Sequence, residues 1–256
     1  MLIDTHCHLD AAEFGADQAE LTGAARAAGV ERIVVPSVER ANFQAVYALC
    51  SQFASCFPAY GIHPMYVDHA SDDDLNVLRE YLREKNPVAA GEIGLDFFID
   101  KYDREKQEYF FIEQLKLARE FDLPVLLHVR RSQDTVLKHL RRIKVKGGIA
   151  HAFNGSLQQA EEFIRLGFKL GFGGAATYSR ATRLHGLLRE LPLASIVLET
   201  DAPDMPPAFL ERGQPNKPEY LPRIAEILAG LRGIPFESLA LATSENALTV
   251  LDRMQT

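Results

Sequence analysis

The chain of 256 residues carries a formal net charge of −7 and is 47% hydrophobic, so it can bury a substantial core. This acidic balance argues against a broad basic surface that would neutralise many phosphates along a nucleic acid. Three cysteines without CxxC spacing fit a reducing compartment, and no window is apolar enough to span a membrane. We therefore expect a cytoplasmic protein with no membrane partner.

Apolar runs of strand length alternate with helical patterns along most of the chain. The sequence predicts strands, in chain order, at residues 2–8, 32–38, 57–62, 87–94, 123–128, 147–151, 168–173 and 195–201. Helical segments lie between them, and two or three more helices are expected after Pro218. Ser71, Ser132 and Ser156 are the predicted helix caps, and Gln159 completes a capping box with Ser156.

Eight strand-like runs in alternation with helices predict an α/β fold. We expect a (β/α)8 TIM barrel that forms one domain over residues 1–256, since no linker, repeat or low-complexity tract divides the chain. A doubly wound open sheet would alternate in the same way, but no glycine-rich phosphate loop opens its first crossover.

Two histidines, His6 and His8, close the first apolar run. In a strand that continues through His8, both imidazoles lie on the same face as Asp4, whereas Cys7 points to the layer of helices. Two such imidazoles can bind one divalent cation, with each nitrogen about 2.0–2.1 Å from it. Alone, such a pair is more typical of one buried and one exposed histidine than of a metal site. The metal interpretation therefore depends on further ligands elsewhere in the chain.

Other histidines and carboxylates end later runs. They are Glu92, His128, His151 and Asp201. In a (β/α)8 barrel these strand ends meet at one mouth, and so many polar groups are hard to bury there without a cation. Because the set exceeds the ligands of one tetrahedral ion, we expect two divalent metal ions, which could be zinc, magnesium or manganese. Glu92 is the predicted bridge between them, and Asp201 the predicted ligand that accepts a proton from water.

Further polar residues near the predicted mouth are candidates for supporting roles. His63 would donate a hydrogen bond to a phosphoryl oxygen or leaving group, or alternatively pack its own turn. Arg130 could bind a phosphate oxygen with its planar guanidinium, whereas we expect Arg131 to point away, and Lys217 is a third candidate for substrate binding. We expect Asp4, Asp96 and Glu199 to orient ligand imidazoles, and His69, His139 and His185 to lie at the surface.

Several short segments together resemble the TatD family of metal-dependent deoxyribonucleases. They are Asp4-Thr5-His6-Cys7-His8-Leu9-Asp10, Gly61-Ile62-His63-Pro64, Gly91-Glu92-Ile93-Gly94-Leu95-Asp96, His128-x-Arg130, His151-Ala152-Phe153-Asn154-Gly155 and Glu199-Thr200-Asp201-Ala202-Pro203. Two further segments, residues 201–206 and 213–218, look most like the YjjV-type branch of that family. Pro215 and Lys217 depart from the arginine and glutamate that are common in the family's Arg-Asn-Glu-Pro segment.

The resemblance implies a barrel of the amidohydrolase superfamily that hydrolyses phosphodiester bonds, usually in DNA, at a two-metal site. Residue by residue, it assigns His6, His8, Glu92 and Asp201 to one ion, and Glu92, His128 and His151 to the other. A carboxylated lysine bridges the metals in many members of the superfamily, but the matching strand here offers Glu92, which is similar to the TatD-like branch.

The expected function is a metal-dependent deoxyribonuclease in which Asp201, Glu92 and His63 are catalytic. The acidic charge favours DNA ends or short oligonucleotides over a long duplex, and therefore an exonuclease-like action. The expected activity is 3′-5′ on the ends of single-stranded DNA, although the charge does not determine that direction, and the expected state is a monomer. One alternative keeps the metal site but hydrolyses an amide or ester, for example as an aminoacyl-ester deacylase. A third possibility is a barrel that binds metal or nucleic acid without turnover.

Overall fold

The computed structural model describes residues 1–99, 101 and 103–255, and in that part of the chain eight parallel strands alternate with helices. The strands are β1 (Leu2–Asp4), β2 (Val30–Pro36), β3 (Cys56–Tyr60), β4 (Ala89–Asp96), β5 (Val125–Arg130), β6 (Gly148–Ala150), β7 (Phe168–Phe172) and β8 (Ile196–Leu198). The helices are α1 (Gln18–Ala27), α2 (Phe43–Gln52), α3 (Asp72–Glu84), α4 (Arg104–Glu120), α5 (Gln133–Arg142), α6 (Leu157–Arg165), α7 (Thr182–Glu190), α8 (Leu221–Arg232) and α9 (Phe236–Val250). Each strand pairs with the next, so the predicted TIM barrel is confirmed.

Successive residues of the strands pack into two different apolar layers, because strand side chains alternate between faces. One layer joins the strands to the surrounding helices and includes Leu2, Ile33, Val35, Leu127, Leu170 and Leu198. The other fills the barrel interior and includes Ile3, Val34, Ala59, Leu126, Ile149 and Val197. Strands buried on both faces are expected to be nearly continuous apolar runs, as these are.

The lower end of the barrel interior is closed by the end of α9 and the turn after it. Ala247, Val250, Leu251 and Met254 are buried against the interior strand residues. This floor lies at the N-terminal ends of the strands, where Asn246 Nδ2 donates to the carbonyl of Ile196 at 2.8 Å. The opposite end, at which the C-terminal ends of the strands meet, forms the mouth of the barrel.

The barrel closes through the segments that follow β1 and β8. Asp201 N donates to His6 O at 2.8 Å, and His8 N donates to Ala202 O at 2.8 Å. A single bridge between Cys7 and Ala202 continues the pairing. The closure therefore fixes the backbone of three predicted metal donors relative to one another.

The structure corrects the predicted first strand. β1 ends at Asp4, so neither His6 nor His8 lies in a strand and the expected alternation does not reach them. The two histidines face each other because the segment after β1 is held by β8, and not because they share a strand face. Cys7 is buried among the residues that pack on the helices, as predicted.

Two other local predictions differ from the structure. Ser132 does not cap α5, since its hydroxyl donates to the carbonyl of Leu95 at 2.6 Å. His139 is buried rather than exposed, and its Nε2 lies 2.8 Å from Glu108 Oε2. His185 is half-buried, whereas His69 is exposed as predicted.

Other expectations of the local structure hold. The capping box predicted at the start of α6, between Ser156 and Gln159, is confirmed, and the predicted cap Ser71 begins α3 within a capping box of its own. Within the described residues, no helix combines the length and the apolar character that crossing a membrane requires.

Candidate metal centre

The six predicted metal donors meet at the mouth of the barrel, and Glu92 lies at their centre. Its Oε2 is 3.1 Å from His6 Nε2 and 3.5 Å from His8 Nε2. Its Oε1 is 3.0 Å from His128 Nδ1 and 2.7 Å from His151 Nε2. The two oxygens of one carboxylate thus each face a separate pair of histidines.

The donors on the Oε2 side match the corners of a tetrahedron. His6 Nε2 and His8 Nε2 are 3.3 Å apart, and Asp201 Oδ1 lies 3.6 and 3.7 Å from them. Four donors around a tetrahedral ion at about 2.1 Å lie about 3.4 Å from one another. The separations among His6, His8 and Asp201, and those of the two histidines from Glu92 Oε2, are close to that value, so these donors have a spacing compatible with one ion.

The donors on the Oε1 side form a triangle. His151 Nε2 lies 3.4 Å from His128 Nδ1, and both face Glu92 Oε1. Three protein donors with a position left for water or substrate are typical of catalytic rather than structural metal sites. The donor chemistry of both groups therefore fits divalent cations.

The pKa values of the donors depend on burial and on the charges of neighbouring donors. Burial opposes ionisation of Glu92, yet the facing imidazoles, first among them His151, hold the pKa of this carboxyl well below its usual range. Burial also disfavours protonation of His151, but Glu92, Asp201 and Glu199 together raise its pKa to about 10. By contrast, burial and the neighbouring His151 lower the pKa of His6 to about 3. Without metal, positive charge therefore gathers on the imidazole nearest Glu92, the place that a cation would take.

His63 lies beside this cluster and presents a donor to it. The main-chain N–H of Met65 donates to His63 Nδ1 at 3.2 Å, so a neutral ring carries its proton on Nε2. Burial lowers the pKa of His63 to about 4, which favours that neutral form. Nε2 lies 3.4 Å from Glu92 Oε1, the same oxygen that His128 and His151 face. The histidine both packs its own turn and offers an N–H to the site.

The three carboxylates predicted to orient ligand imidazoles, Asp4, Asp96 and Glu199, have different hydrogen-bond partners. Asp96 Oδ2 lies 3.1 Å from His128 Nε2 and so fixes which nitrogen of that ring faces Glu92. Glu199 Oε1 is 4.0 Å from His151 Nδ1, beyond hydrogen-bond distance, and accepts instead from Ala152 N. The prediction for Asp4 is wrong in the structure.

Asp4 orients the chain near Asp201 rather than an imidazole. Its two oxygens accept hydrogen bonds from the main-chain N and the hydroxyl of Thr200, at 2.9 and 2.6 Å. These bonds tie β1 to the residue immediately before Asp201. Asp4 therefore supports the position of a predicted donor through the backbone.

The predicted substrate-binding cations lie at different distances from the centre. Arg130 Nη1 is 3.8 Å from Asp96 Oδ2, which places it next to the carboxylate that orients His128. Lys217 Nζ lies 3.7 Å from Glu219 Oε1, and no described contact joins it to the metal donors. Arg131, expected to point away, lies on the same phenylalanine ring as Arg130.

Two glycines let β4 approach β5 closely enough to bring Glu92 to His128. A Cβ at Gly91 would lie 2.5 Å from Leu126 Cβ. Gly94 has φ +152°, and a Cβ there would overlap the carbonyl oxygen of His128. Side chains at these positions would separate the strands that carry the two donors.

Comparison with known proteins places the chain in a family. The family described as TatD related DNase matches residues 3–252. The chain belongs to the TatD family. The resemblance predicted from its sequence motifs is therefore confirmed.

Individual relatives of this TatD family member agree with that assignment. It is 44% identical over 254 residues to the uncharacterized metal-dependent hydrolase YjjV of Escherichia coli strain K12, covering 98% of this chain and 97% of that protein. The crystal structure of E. coli YjjV, described as a TatD homologue, matches with a TM-score of 0.94 over 98% of each chain. A protein of Klebsiella pneumoniae strain 342 named 3′-5′ ssDNA/RNA exonuclease TatD is 32% identical over 255 residues, covering 97% of each chain.

Two buried glutamines of α4 position this TatD family member's site, and sequence reasoning missed both. Gln107 Oε1 accepts from Asp96 N at 2.9 Å and its Nε2 donates to Asp96 O at 3.1 Å. Gln114 pairs in the same way with both main-chain groups of Ile62, at 2.7 and 3.0 Å. The helix thereby holds the backbone of Asp96 and of the residue before His63.

The Gln107→Leu variant is expected to lower the free energy of unfolding by about 2–5 kcal/mol. Leucine leaves the N–H and C=O of Asp96 buried without partners, and each unpaired group costs about 1–3 kcal/mol. Urea denaturation would measure the difference. Gln52→Leu, at an exposed position on α2, is the matched control and should change stability by less than about 0.5 kcal/mol. Equal stability of Gln107→Leu and the control would show that β4 holds itself in place.

Asn216 is a third buried polar residue to which the sequence analysis assigned no role, although it lies in the segment 213–218 named there. It is fully buried, and its Nδ2 donates to the carbonyl of Thr200 at 2.7 Å. Its main-chain N donates to Pro203 O at 2.9 Å. Asn216 therefore ties the segment that precedes Lys217 to the loop of Asp201. The signal in the sequence that could have indicated it is an asparagine within a proline-rich loop.

Proposed function

We propose that the protein is a metal-dependent phosphodiester hydrolase that holds two divalent cations. The observation that carries the proposal is the position of Glu92, whose Oε2 lies within 3.5 Å of His6 and His8 while its Oε1 lies within 3.5 Å of His63, His128 and His151. His6, His8, Glu92 and Asp201 would bind one ion, and Glu92, His128 and His151 the other. Such cations, when bound, lower the pKa of water from about 15.7 to about 7 and offset the charge of a phosphate.

Asp201, His63 and Arg130 would supply proton transfer, hydrogen bonding and phosphate binding, respectively. Asp201 accepts the proton of the attacking water, because it lies at the edge of the first group of donors and its side chain is still 12% exposed at the mouth. His63 donates its Nε2 proton in a hydrogen bond to a phosphoryl oxygen or to the leaving oxygen. Arg130, held near Asp96, binds a non-bridging oxygen of a substrate phosphate through its planar guanidinium.

The proposed substrate is single-stranded DNA, degraded from its 3′ end. The name of the Klebsiella relative, a 3′-5′ ssDNA/RNA exonuclease, supports this substrate and this direction. The acidic net charge of −7 supports short or terminal segments of nucleic acid rather than a long duplex. The metal is proposed to be zinc, manganese or magnesium, since the imidazoles of the donor set favour zinc and its carboxylates suit manganese or magnesium.

The test uses single-stranded DNA labelled at its 5′ or its 3′ end and protein loaded with each metal in turn. A 3′-5′ exonuclease converts the 3′ label directly into mononucleotide, whereas the 5′ label passes through a ladder of shorter strands. Chelated protein should release nothing, and reloading should restore activity. Circular single-stranded DNA, which has no ends, should remain intact.

Each other result has a definite meaning. A ladder from the 3′ label would reverse the direction, and cleavage of the circle would replace exonuclease by endonuclease action. No product from protein that retains two equivalents of metal would reject DNA as the substrate. Amide and ester libraries would then be the next substrates, because the same donors could serve their hydrolysis.

A monomer and a cytoplasmic location also remain proposals. The three cysteines are free thiols, which supports a reducing compartment. Sedimentation of the metal-loaded protein would test the oligomeric state, and cell fractionation the location.

A further inference from the structure

An exposed phenylalanine at the mouth of the barrel carries two arginines on its ring. Phe98, two residues beyond the end of β4, is 43% exposed. The guanidinium carbon of Arg130 lies 3.9 Å from the centroid of its ring, and that of Arg131 lies 4.5 Å from it. We name Phe98, Arg130 and Arg131 the arginine platform.

Main-chain contacts hold the platform in place. Phe98 N donates to Asp96 Oδ1 at 2.9 Å, and Phe97 N donates to Arg130 O at 2.8 Å. The second bond extends the pairing of β4 with β5 to the platform, and the first fixes Phe98 against the end of β4. The ring and the two cations therefore have a fixed relation to the strands that carry Glu92 and His128.

The backbone of Arg131 departs from the strand in a way that brings its side chain to the ring. Its φ is +54°, a left-handed conformation that residues other than glycine adopt uncommonly. The hydroxyl of Ser132, which donates to Leu95 O, holds the chain at this point. Arg130 and Arg131, which would face opposite sides in a regular strand, consequently both lie on Phe98.

The charges of the platform are largely unneutralised. Within the described part of the chain, Asp96 is the one carboxylate within 4.0 Å of either guanidinium, at 3.8 Å from Arg130. The same carboxylate lies 3.1 Å from His128 Nε2. The platform therefore adds positive charge immediately beside the second group of metal donors, in a protein of net charge −7.

A guanidinium stacked by its face on an aromatic ring keeps its N–H groups free in its own plane. Two such groups held against one ring offer N–H donors to an anion with several oxygens, and the ring restrains both before the anion arrives. We infer that the arginine platform binds the phosphate next to the scissile phosphodiester, an inference that rests on the proposed phosphodiesterase function. Phe98 acts there as a positioning residue, through the arginines.

The inference is tested with three thymidine substrates and the metal-loaded enzyme. TpT contains the scissile phosphate alone, TpTpT adds an internal phosphate, and pTpT adds a terminal one. The wild-type KM should be about tenfold lower for TpTpT than for TpT, at similar kcat. The Arg131→Met variant should lose that difference while its kcat and KM for TpT stay within twofold of wild type.

Substitutions at Phe98 test whether its aromatic ring positions the arginines or whether only the volume of its side chain matters. Phe98→Leu should raise the KM for TpTpT about fivefold, and Phe98→Tyr, which keeps the ring, should restore it. The matched control is Arg180→Met, since Arg180 lies 5.1 Å above the ring of Tyr178 at another loop and should have no effect. A KM that is lower than that for TpT with pTpT but not with TpTpT would mean that the platform binds a terminal phosphate. That result would overturn the assignment to an internal phosphate. Equal loss on TpT and TpTpT would overturn the subsite altogether.

A binding titration keeps this inference separate from the proposed function. The affinity of metal-loaded protein for fluorescein-labelled (dT)6, measured by fluorescence anisotropy, should be about tenfold weaker in Arg131→Met than in wild type. The log–log slope of affinity against salt concentration should be smaller by about 0.7. That result without any cleavage would keep the subsite and reject the phosphodiesterase. Unchanged binding, or none by the wild type, would reject the subsite.

Discussion

Asp201→Asn is expected to lower kcat on single-stranded DNA about 10³-fold, the range that a positioned general base contributes. Asparagine keeps the shape of the side chain but cannot accept a proton from water. Asp201 has φ +58°, and asparagine is among the residues that adopt this region most readily, so the variant should fold. The measurement is single-turnover release of nucleotide from 3′-labelled DNA by metal-reconstituted protein.

The control for this variant is Asp204→Asn, an exposed carboxylate in the same loop, which should stay within twofold of wild type. Metal content must be measured beside the rate. A variant that retains both ions but loses activity identifies Asp201 as the proton acceptor, whereas loss of an ion identifies it first as a ligand. Activity within tenfold of wild type, with full metal, would contradict both roles.

Glu92→Gln is expected to reduce retained metal from two equivalents to one or fewer, and to remove most activity. An amide has one acceptor oxygen and one donor nitrogen, so it cannot face the His6 pair and the His151 pair in the way the carboxylate does. Metal that binds only the folded state stabilises it by about 2.7 kcal/mol per site at a hundredfold excess over Kd. The stabilisation by metal should therefore fall by about half or more.

Elemental analysis after dialysis and thermal unfolding with and without metal would measure both effects. The control is Glu108→Gln, which breaks a carboxylate–imidazole contact of 2.8 Å with His139 away from the mouth. This control should keep two equivalents of metal. If Glu92→Gln does the same, with undiminished stabilisation, the two groups of donors do not share a bridge.

The predictions succeeded where they followed from topology. Apolar runs identified the strands, and a parallel barrel brings the ends of all its strands to one mouth, so His6, Glu92, His128 and Asp201 were expected to meet. Which atoms meet could not be predicted. His128 turns Nδ1 to Glu92 because Asp96 is in contact with its Nε2, a choice made by the side-chain packing of two neighbouring strands.

The errors arose where local rules gave way to tertiary contacts. The alternation rule failed for Arg131, because its left-handed backbone has no signal in a residue other than glycine. No role is assigned to Gln107 and Gln114 from the sequence. They lie two turns apart on the buried stripe of α4 that also contains Phe110 and Leu117, and polar residues at core positions of a helix are the signal that was overlooked.

The floor that α9 supplies bears on how the protein is made. A chain elongated only as far as β8 has all eight strands, yet its interior residues such as Ile3 and Val197 are still open to water from below. Val250 and Leu251 lie far along the chain from the strands they cover, and contacts of such long range form slowly. During synthesis, the period between the emergence of β8 and the docking of α9 is therefore one in which this protein is expected to expose apolar surface that favours aggregation.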